Sequence, residues 1–387
     1  MHIVIINGPN LNLLGTRSPD VYGSTSLTEL EDMCRAWAAD EGGTIDAYQS
    51  NHEGDLIDHL HAARDADGIV INPGAFTHYS YAIRDAIEAI GRPTVEVHIS
   101  NISDREHWRR TSVVSDVCIA TVFGRGVEGY RDAIRHLAAR TAWPIETISY
   151  GNGTDRVGDL RIPSGSGPYP VAVLLHGGFW RNTAARDLLD GVAVDLTRRG
   201  WATWNIEFPR VGSGGGWSVT QAAVRSAIDS LTEIADGHGL DLSRIVVIGH
   251  GSGGHLALRS ALGDPGTPIA AVVGLAPIGD LEAAHRAGIG NGGVEAFMEG
   301  TPEQSPDRYA AASPMRNLPI GVPILVIHGD QDSQIPAPIS RSFAGRAADR
   351  GDTVIYHEIE GVGHETLIDP RSTAWQMIAE EIDRLKS

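Results

Sequence analysis

Eight polar side chains in the N-terminal part of the chain fall at or just after the ends of short apolar runs: Asn10, Arg17, Tyr22, Asn72, His78, His98, Ser100 and Arg109. Taken singly, each has an ordinary role. Asn7-Gly8-Pro9-Asn10 is a turn signal. His98 alone reads as a structural histidine, Tyr22 as a packed aromatic, and Arg105, Arg109 and Arg110 as a solvated helix face. Brought to one rim, the eight would line a polar pocket with cationic walls, suited to a polyhydroxylated carboxylate. Backbone amides at residues 98–100, with Arg109 beside them, would hold the carboxylate. A second group lies later in the chain. The apolar run "RIVVIG" (244–249) leads into His250-Gly251-Ser252-Gly253-Gly254-His255 and then into a helical pattern. A strand, a glycine turn and a helix in this order lift a nucleophile for acyl transfer when the central residue is serine. Here the central residue is Gly251, and the serine follows one position late.

Composition narrows the chemistry further. The 387-residue chain has one lysine, Lys386, next to the C-terminus. Schiff-base catalysis, pyridoxal phosphate attachment and a phosphate-binding P-loop all need a placed lysine, so none is expected. A net charge of −18 argues against nucleic-acid binding. No stretch reads as a signal peptide or a membrane span. Cys34 and Cys118 have no metal-ligand or redox spacing. These features predict a cytoplasmic enzyme without a membrane or nucleic-acid partner.

The elements that would carry these residues form two alternating series. "HIVIIN" (2–7), "TIDAYQS" (44–50), "GIVIN" (68–72), "TVEVHIS" (94–100) and "VCIATVF" (117–123) read as strands separated by amphipathic helices. Their apolar runs predict a parallel sheet covered on both faces, a flavodoxin-like five-stranded layout with its site at the strand C-termini. A Gly-, Pro- and Ser-rich stretch (141–170) holds a short linker and the first strands of a second series. "VAVLLHGGFW" (171–180) starts the alternation of this series, and its later strands are read at 202–208, 244–249, 270–276, 323–329 and 352–360. The segment 277–315 reads as an irregular cap. The expected domains are 1–142 and 143–387.

The first half resembles the type II 3-dehydroquinate dehydratases over its whole length. The resemblance rests on "NGPNLNLLGTR" (7–17), "YQSNHEG" (48–54), "INPGAFTH" (71–78), "EVHISN" (96–101) and "GVEGY" (126–130), in that order. It implies anti elimination of water from the small molecule 3-dehydroquinate through an enolate, without metal or cofactor. Tyr22 would be the base, its pKa depressed by Arg17. Asn10 would hold a water against the enolate oxygen. His98, oriented by Glu96, would be the acid. Asn72, His78, Ile99, Ser100 and Arg109 would bind substrate, and Asp85 would reach in from a neighbouring subunit of a trimer-based assembly, up to a dodecamer.

The second half resembles the α/β-hydrolase fold, near small esterases and kynurenine-formamidase-like members. "HGGFW" (176–180) matches the oxyanion loop, with the amides of Gly178 and Phe179 facing the oxyanion. "HGDQD" (328–332) and "GVGHETLIDP" (361–370) match the acid and base loops, giving Asp332 and His364. By register Gly251 holds the nucleophile position. Three readings stay open: a unit without a serine nucleophile, serving as a binding or interaction module; an active hydrolase in which a one-residue shift recruits Ser252 to Asp332 and His364; and water activated directly by His364 and Asp332.

Overall fold

The computed structural model describes residues 1–16, 24–100, 108, 111–262 and 266–386. The chain divides into two compact units, Met1–Ala142 and Trp143–Ser387.

In the first unit five parallel strands, β1 (His2–Asn7), β2 (Thr44–Gln49), β3 (Gly68–Asn72), β4 (Thr94–His98) and β5 (Ala120–Phe123), lie in the order β2-β1-β3-β4-β5. The layout is flavodoxin-like, and the chain reverses its winding between β1 and β3, where such sheets place their ligands. Helices α1 (Leu27–Asp40) and α4 (Glu128–Ala142) bury Leu30, Cys34, Ile134 and Leu137 on one face. Helices α2 (Glu53–Ala62) and α3 (Tyr81–Ile90) bury Leu56, Leu60, Ile83 and Ile87 on the other. Central β3 and β4 are buried at every residue, whereas edge strand β2 alternates exposed and half-buried. An edge strand needs only one apolar face, so "TIDAYQ" is less apolar than "GIVIN". The strand expected over 117–123 is shorter, because Ser115–Val117 coils into a 3-10 turn first.

Asn7, Asn72 and His98 each end one of the three neighbouring central strands, and Asn7 and Asn72 are directly paired in register. The apolar strands thus bring three of the chemically capable positions to one edge.

The second unit is built on eight strands: β6 (Glu146–Ser149), β7 (Val157–Arg161), β8 (Tyr169–Leu175), β9 (Ala202–Ile206), β10 (Leu240–His250), β11 (Ala271–Leu275), β12 (Ile324–Gly329) and β13 (Val354–Ile359). Their order is β13-β12-β11-β10-β8-β9-β7-β6. β7 runs antiparallel to both neighbours and the other pairings are parallel. Helices α5 (Asp190–Arg198) and α13 (Thr373–Asp383) pack on one face, where Leu196, Trp201, Trp375 and Ile378 are buried. Helices α6 (Trp217–Asp229), α7 (Leu231–His238), α8 (Ser252–Ser260) and α12 (Ala337–Asp349) cover the other, around Trp204, Val224, Leu256 and Phe343. This is an α/β-hydrolase sheet. The segment expected to be irregular instead forms three short helices, α9 (Leu281–Arg286), α10 (Gly293–Met298) and α11 (Pro306–Ala312), which bury Phe297, Met298 and Tyr309. Each spans less than two turns, too few for a helical period to stand out between Gly288, Gly290 and Gly292.

Helix α8 lies close against the sheet because Gly253 and Gly254, which follow Ser252 in its first turn, lack side chains. A Cβ on Gly253 would come within 2.0 Å of the Leu175 carbonyl oxygen, and one on Gly249 within 2.1 Å of the Gly253 carbonyl. Both obstacles are backbone. Gly253→Ala is therefore expected to destabilise this unit by about 3 kcal/mol or more. Calorimetry should show its transition lowered by roughly 6–12 °C, with the transition of the first unit unmoved.

Candidate functional site

In the first unit the chemistry centres on a carboxylate and an imidazole at the end of β4. The Glu96 side chain is wholly buried and His98 is 5% exposed, with Nε2 of His98 2.8 Å from Oε1 of Glu96. Glu96 also accepts from Ser112 Oγ at 2.9 Å, from the Thr77 hydroxyl and from Thr121 Oγ1 at 3.4 Å. Burial alone would raise its pKa. The hydrogen bond and charge of His98, with the Thr77 and Ser112 hydroxyls, outweigh burial and hold the carboxyl below its ordinary range. Because Glu96 engages Nε2, Nδ1 is the nitrogen of His98 that can exchange a proton with a reacting group.

The depressed pKa has a consequence for acid stability. A carboxylate with a lowered folded pKa contributes stability fully above its unfolded value, near ~4.3, and loses it as pH falls through the folded value. Glu96→Gln is expected to flatten the acid limb of the first unit's stability between about pH 5 and 2, read by circular dichroism melts at stepped pH.

A second network ties the strand ends to α4. Tyr130 Oη donates to Asn7 Oδ1 at 2.6 Å and accepts from Asn72 Nδ2 at 2.9 Å. Asn72 Oδ1 takes the Gly74 amide at 3.2 Å. Burial pushes the Tyr130 phenol far up, so it stays neutral at any working pH. Asn72, expected to bind substrate, is thereby fixed in one orientation. Sequence reasoning gave no role to Asn7, Tyr130, Thr77 or Ser112. The one available signal was position: Asn7 ends a strand, and Tyr130 closes "GVEGY".

The remaining expected residues are placed as follows. Asn10 is exposed in the left-handed region, φ 66°, a conformation asparagine tolerates. Its amide donates to Asn51 Oδ1 at 2.9 Å. His78 Nδ1 lies 2.8 Å from the Thr111 carbonyl, and its ring meets Trp108 edge-on at 5.3 Å. Ile99 is buried, Ser100 half-buried, and Asp85 exposed on α3. Arg17, Tyr22 and Arg109 lie outside the described residues.

In the second unit β10 ends in a sharp turn at Gly251, φ 56° and ψ −116°, and α8 begins at Ser252. A Cβ built on Gly251 would stand 3.1 Å from Nε2 of His364. Nδ1 of His364 is 2.6 Å from Oδ2 of Asp332. Asp332 also accepts the Gln334 and Ile335 amides, each at 2.8 Å, and lies 3.3 Å from His328 Nε2. Burial would raise the Asp332 pKa, but His328, His364 and the Ile335 amide reverse that and hold it far below the usual range. Against the His364 ring, His250 Nε2 donates to the His364 carbonyl at 3.1 Å. Burial, then the charge of His364, pushes His250 down to about 3, so it is neutral.

Ser252 does not join this pair. It is 2% exposed, and its hydroxyl accepts the Trp180 amide at 3.3 Å. Among the described residues it has no hydrogen bond to His364, and α8 has no side-chain cap. The physical reason is helical geometry: residue 252 is the first residue of α8, and its side chain turns back toward the Gly178–Trp180 loop. That loop is held in unusual conformations: Gly178, Phe179 and Trp180 have φ of 102°, 54° and 57°. Two successive non-glycine residues at positive φ cost of order 1–3 kcal/mol each, and such strain collects at functional sites.

The fold defines a flavodoxin-like α/β unit followed by an α/β-hydrolase fold. The chain belongs to the class II dehydroquinase family, whose model matches residues 1–138. A catabolic 3-dehydroquinase 1 from Neosartorya fischeri is 55% identical over 137 residues, which cover 35% of this chain and 91% of that protein. A 3-dehydroquinate dehydratase from Bacillus pumilus is 54% identical over 139 residues, 36% of this chain and 95% of that one. A second family model, BD-FAE, matches residues 159–346. A solved structure described as a truncated carbohydrate esterase from gut microbiota is 19% identical with a TM-score of 0.55, covering 62% of this chain and 95% of that chain. At that identity the likeness concerns the fold. No helix among the described residues is long and apolar enough to cross a membrane.

Proposed function

We propose that the first unit converts 3-dehydroquinate to 3-dehydroshikimate and water by anti elimination through an enolate. The observation that carries this reading is the buried Glu96–His98 pair beside the fixed amide of Asn72, in a unit similar over its length to dehydroquinases. Tyr22 takes the C2 proton, with Arg17 stabilising the phenolate. The enolate oxygen is met by a water on Asn10. His98, fixed through Nε2 by Glu96, gives its proton to the departing hydroxyl. Asn72, His78, Ile99, Ser100 and Arg109 hold the ring and carboxylate, and Asp85 serves a neighbouring subunit's site in a trimer-based assembly. The test is incubation of the full chain with 3-dehydroquinate, following the conjugated enone by its ultraviolet absorbance. Stereospecific C2 deuteration should show loss of one label only. Absence of product, or syn loss, overturns the reading.

The second unit, in the same reading, is an α/β-hydrolase domain without a serine nucleophile. Its support is the backbone turn at Gly251 together with the bond from Ser252 to Trp180. Fluorophosphonate treatment of the full chain is expected to leave its intact mass unchanged. An adduct on Ser252, lost in Ser252→Ala, would instead mean a shifted elbow.

A further inference from the structure

Everything in the second unit except the nucleophile has the arrangement of an acyl-transfer site. The base is complete. Asp332 holds the Nδ1–H of His364 at 2.6 Å, which leaves the Nε2 lone pair as the atom that can accept a proton. Asp332 is in turn fixed by two backbone amides and His328, and His328 by Ser340 Oγ at 2.7 Å and the Ile335 carbonyl at 2.8 Å. His364 is 7% exposed, so this is a nearly dry, hydrogen-bonded base and not a surface ion pair. Keeping a carboxylate and an imidazole buried carries a desolvation cost that a purely structural module would avoid with apolar side chains.

The electrophilic side is complete as well. Trp180 donates its amide to Ser252, which pins the strained Gly178–Trp180 loop to the start of α8. The cap is tied to the same loop: Arg181 Nη2 donates to the Asn291 carbonyl at 2.7 Å, and Phe179 lies against the backbone of Gly290 and Gly293. Among the described residues neither the Phe179 nor the Ser252 amide donates to a protein acceptor. Ser252 is the first residue of a nine-residue helix, where N–H groups have no partner within the helix. With glycine at 251, the atom next to Nε2 in an ester complex is not a protein oxygen.

We infer that the second unit is a general-base hydrolase of small carboxylic esters, in which His364 activates water at the place an elbow serine would fill. This rests on the nucleophile-free reading of Gly251. As the water oxygen bonds to the ester carbonyl carbon, Nε2 of His364 takes one of its protons, and the carbonyl electron pair moves onto oxygen. The amides of Phe179 and Ser252 receive that oxyanion. When the carbonyl re-forms, the bond to the alcohol oxygen breaks, and the alcohol leaves with the proton from Nε2. Ester and water give acid and alcohol, and His364 returns to its starting state without any acyl-enzyme.

The test uses the full chain with p-nitrophenyl acetate. Turnover is expected without a burst, and protein quenched during steady state keeps its unmodified mass. His364→Ala should lower the rate by about 100-fold or more, while dehydratase activity measured on the same sample stays unchanged. Turnover equal in wild type and His364→Ala overturns the inference. So does an absence of turnover, and a Gly251→Ser sample that takes a fluorophosphonate label then shows that the site was formed and the fault lies in the inference alone. An acetyl group found on Ser252 overturns the inference and the nucleophile-free reading together.

Discussion

Tyr22→Phe is expected to lower the dehydratase kcat by about 10³-fold, with a much smaller change in KM. A positioned general base contributes roughly 10²–10⁴-fold, and phenylalanine keeps the ring while removing the phenolic oxygen proposed to take the C2 proton. The residual rate comes from the electrostatic cradle and binding groups, which stay in place. His98→Ala should fall in the same range for the opposite half of the proton transfer. Because Glu96 would then be buried without its main partner, that variant is also expected to lose stability, and Tyr22→Phe is not. Kinetics and melting on one preparation of each variant separate the two. A Tyr22→Phe enzyme within tenfold of wild type would remove the tyrosine from the base role.

Gly251→Ser is expected to change the second unit from unlabelled to stoichiometrically labelled by a fluorophosphonate, at the introduced hydroxyl. The backbone already has φ 56° and ψ −116°, so the turn need not be rebuilt. Serine in that region carries a strain of order 1–3 kcal/mol, which should lower this unit's Tm by several degrees. The new Cβ would lie 3.1 Å from Nε2 and 3.6 Å from Ile335 Cδ1, so the imidazole must give by a few tenths of an ångström. His364→Ala in the same background should abolish labelling. A folded Gly251→Ser variant that stays unlabelled would mean the base does not face residue 251.

Much of this was legible in the sequence, and the gaps have physical causes. The central strands showed because burial on both faces forces continuous apolar runs, as in "GIVIN" and "RIVVIG". The edge strands were less distinct: β2 has one half-buried face, and β5 begins only after a 3-10 turn. The short cap helices were missed because fewer than two turns cannot display a period. For the candidate sites, Glu96, His98, Asp332 and His364 were singled out by the motifs that carry the two resemblances, "EVHISN", "HGDQD" and "GVGHETLIDP". Tyr130 was not, because its contribution is made 123 residues away from Asn7, and a lone tyrosine on a helix carries no local mark of such a bond. The bond of Ser252 to Trp180 also links separate segments, and only the turn's geometry shows which way the hydroxyl points.

The Asn7–Tyr130–Asn72 bridge bears on how the first unit comes into being. Its partners lie on the first strand, the third strand and the last helix. A ribosome-bound chain therefore carries Asn7 and Asn72 long before it carries the phenol that locks them. Contacts of such sequence separation form late and slow the folding of a domain. Until α4 docks, the Asn72 amide has only the local Gly74 amide to hold it, so its second anchor arrives with the final element. Cutting the chain after Ala142 would keep that closing piece, whereas a cut before Tyr130 would remove both the phenol that holds Asn72 and the Ile134 and Leu137 side chains that cover one face of the sheet.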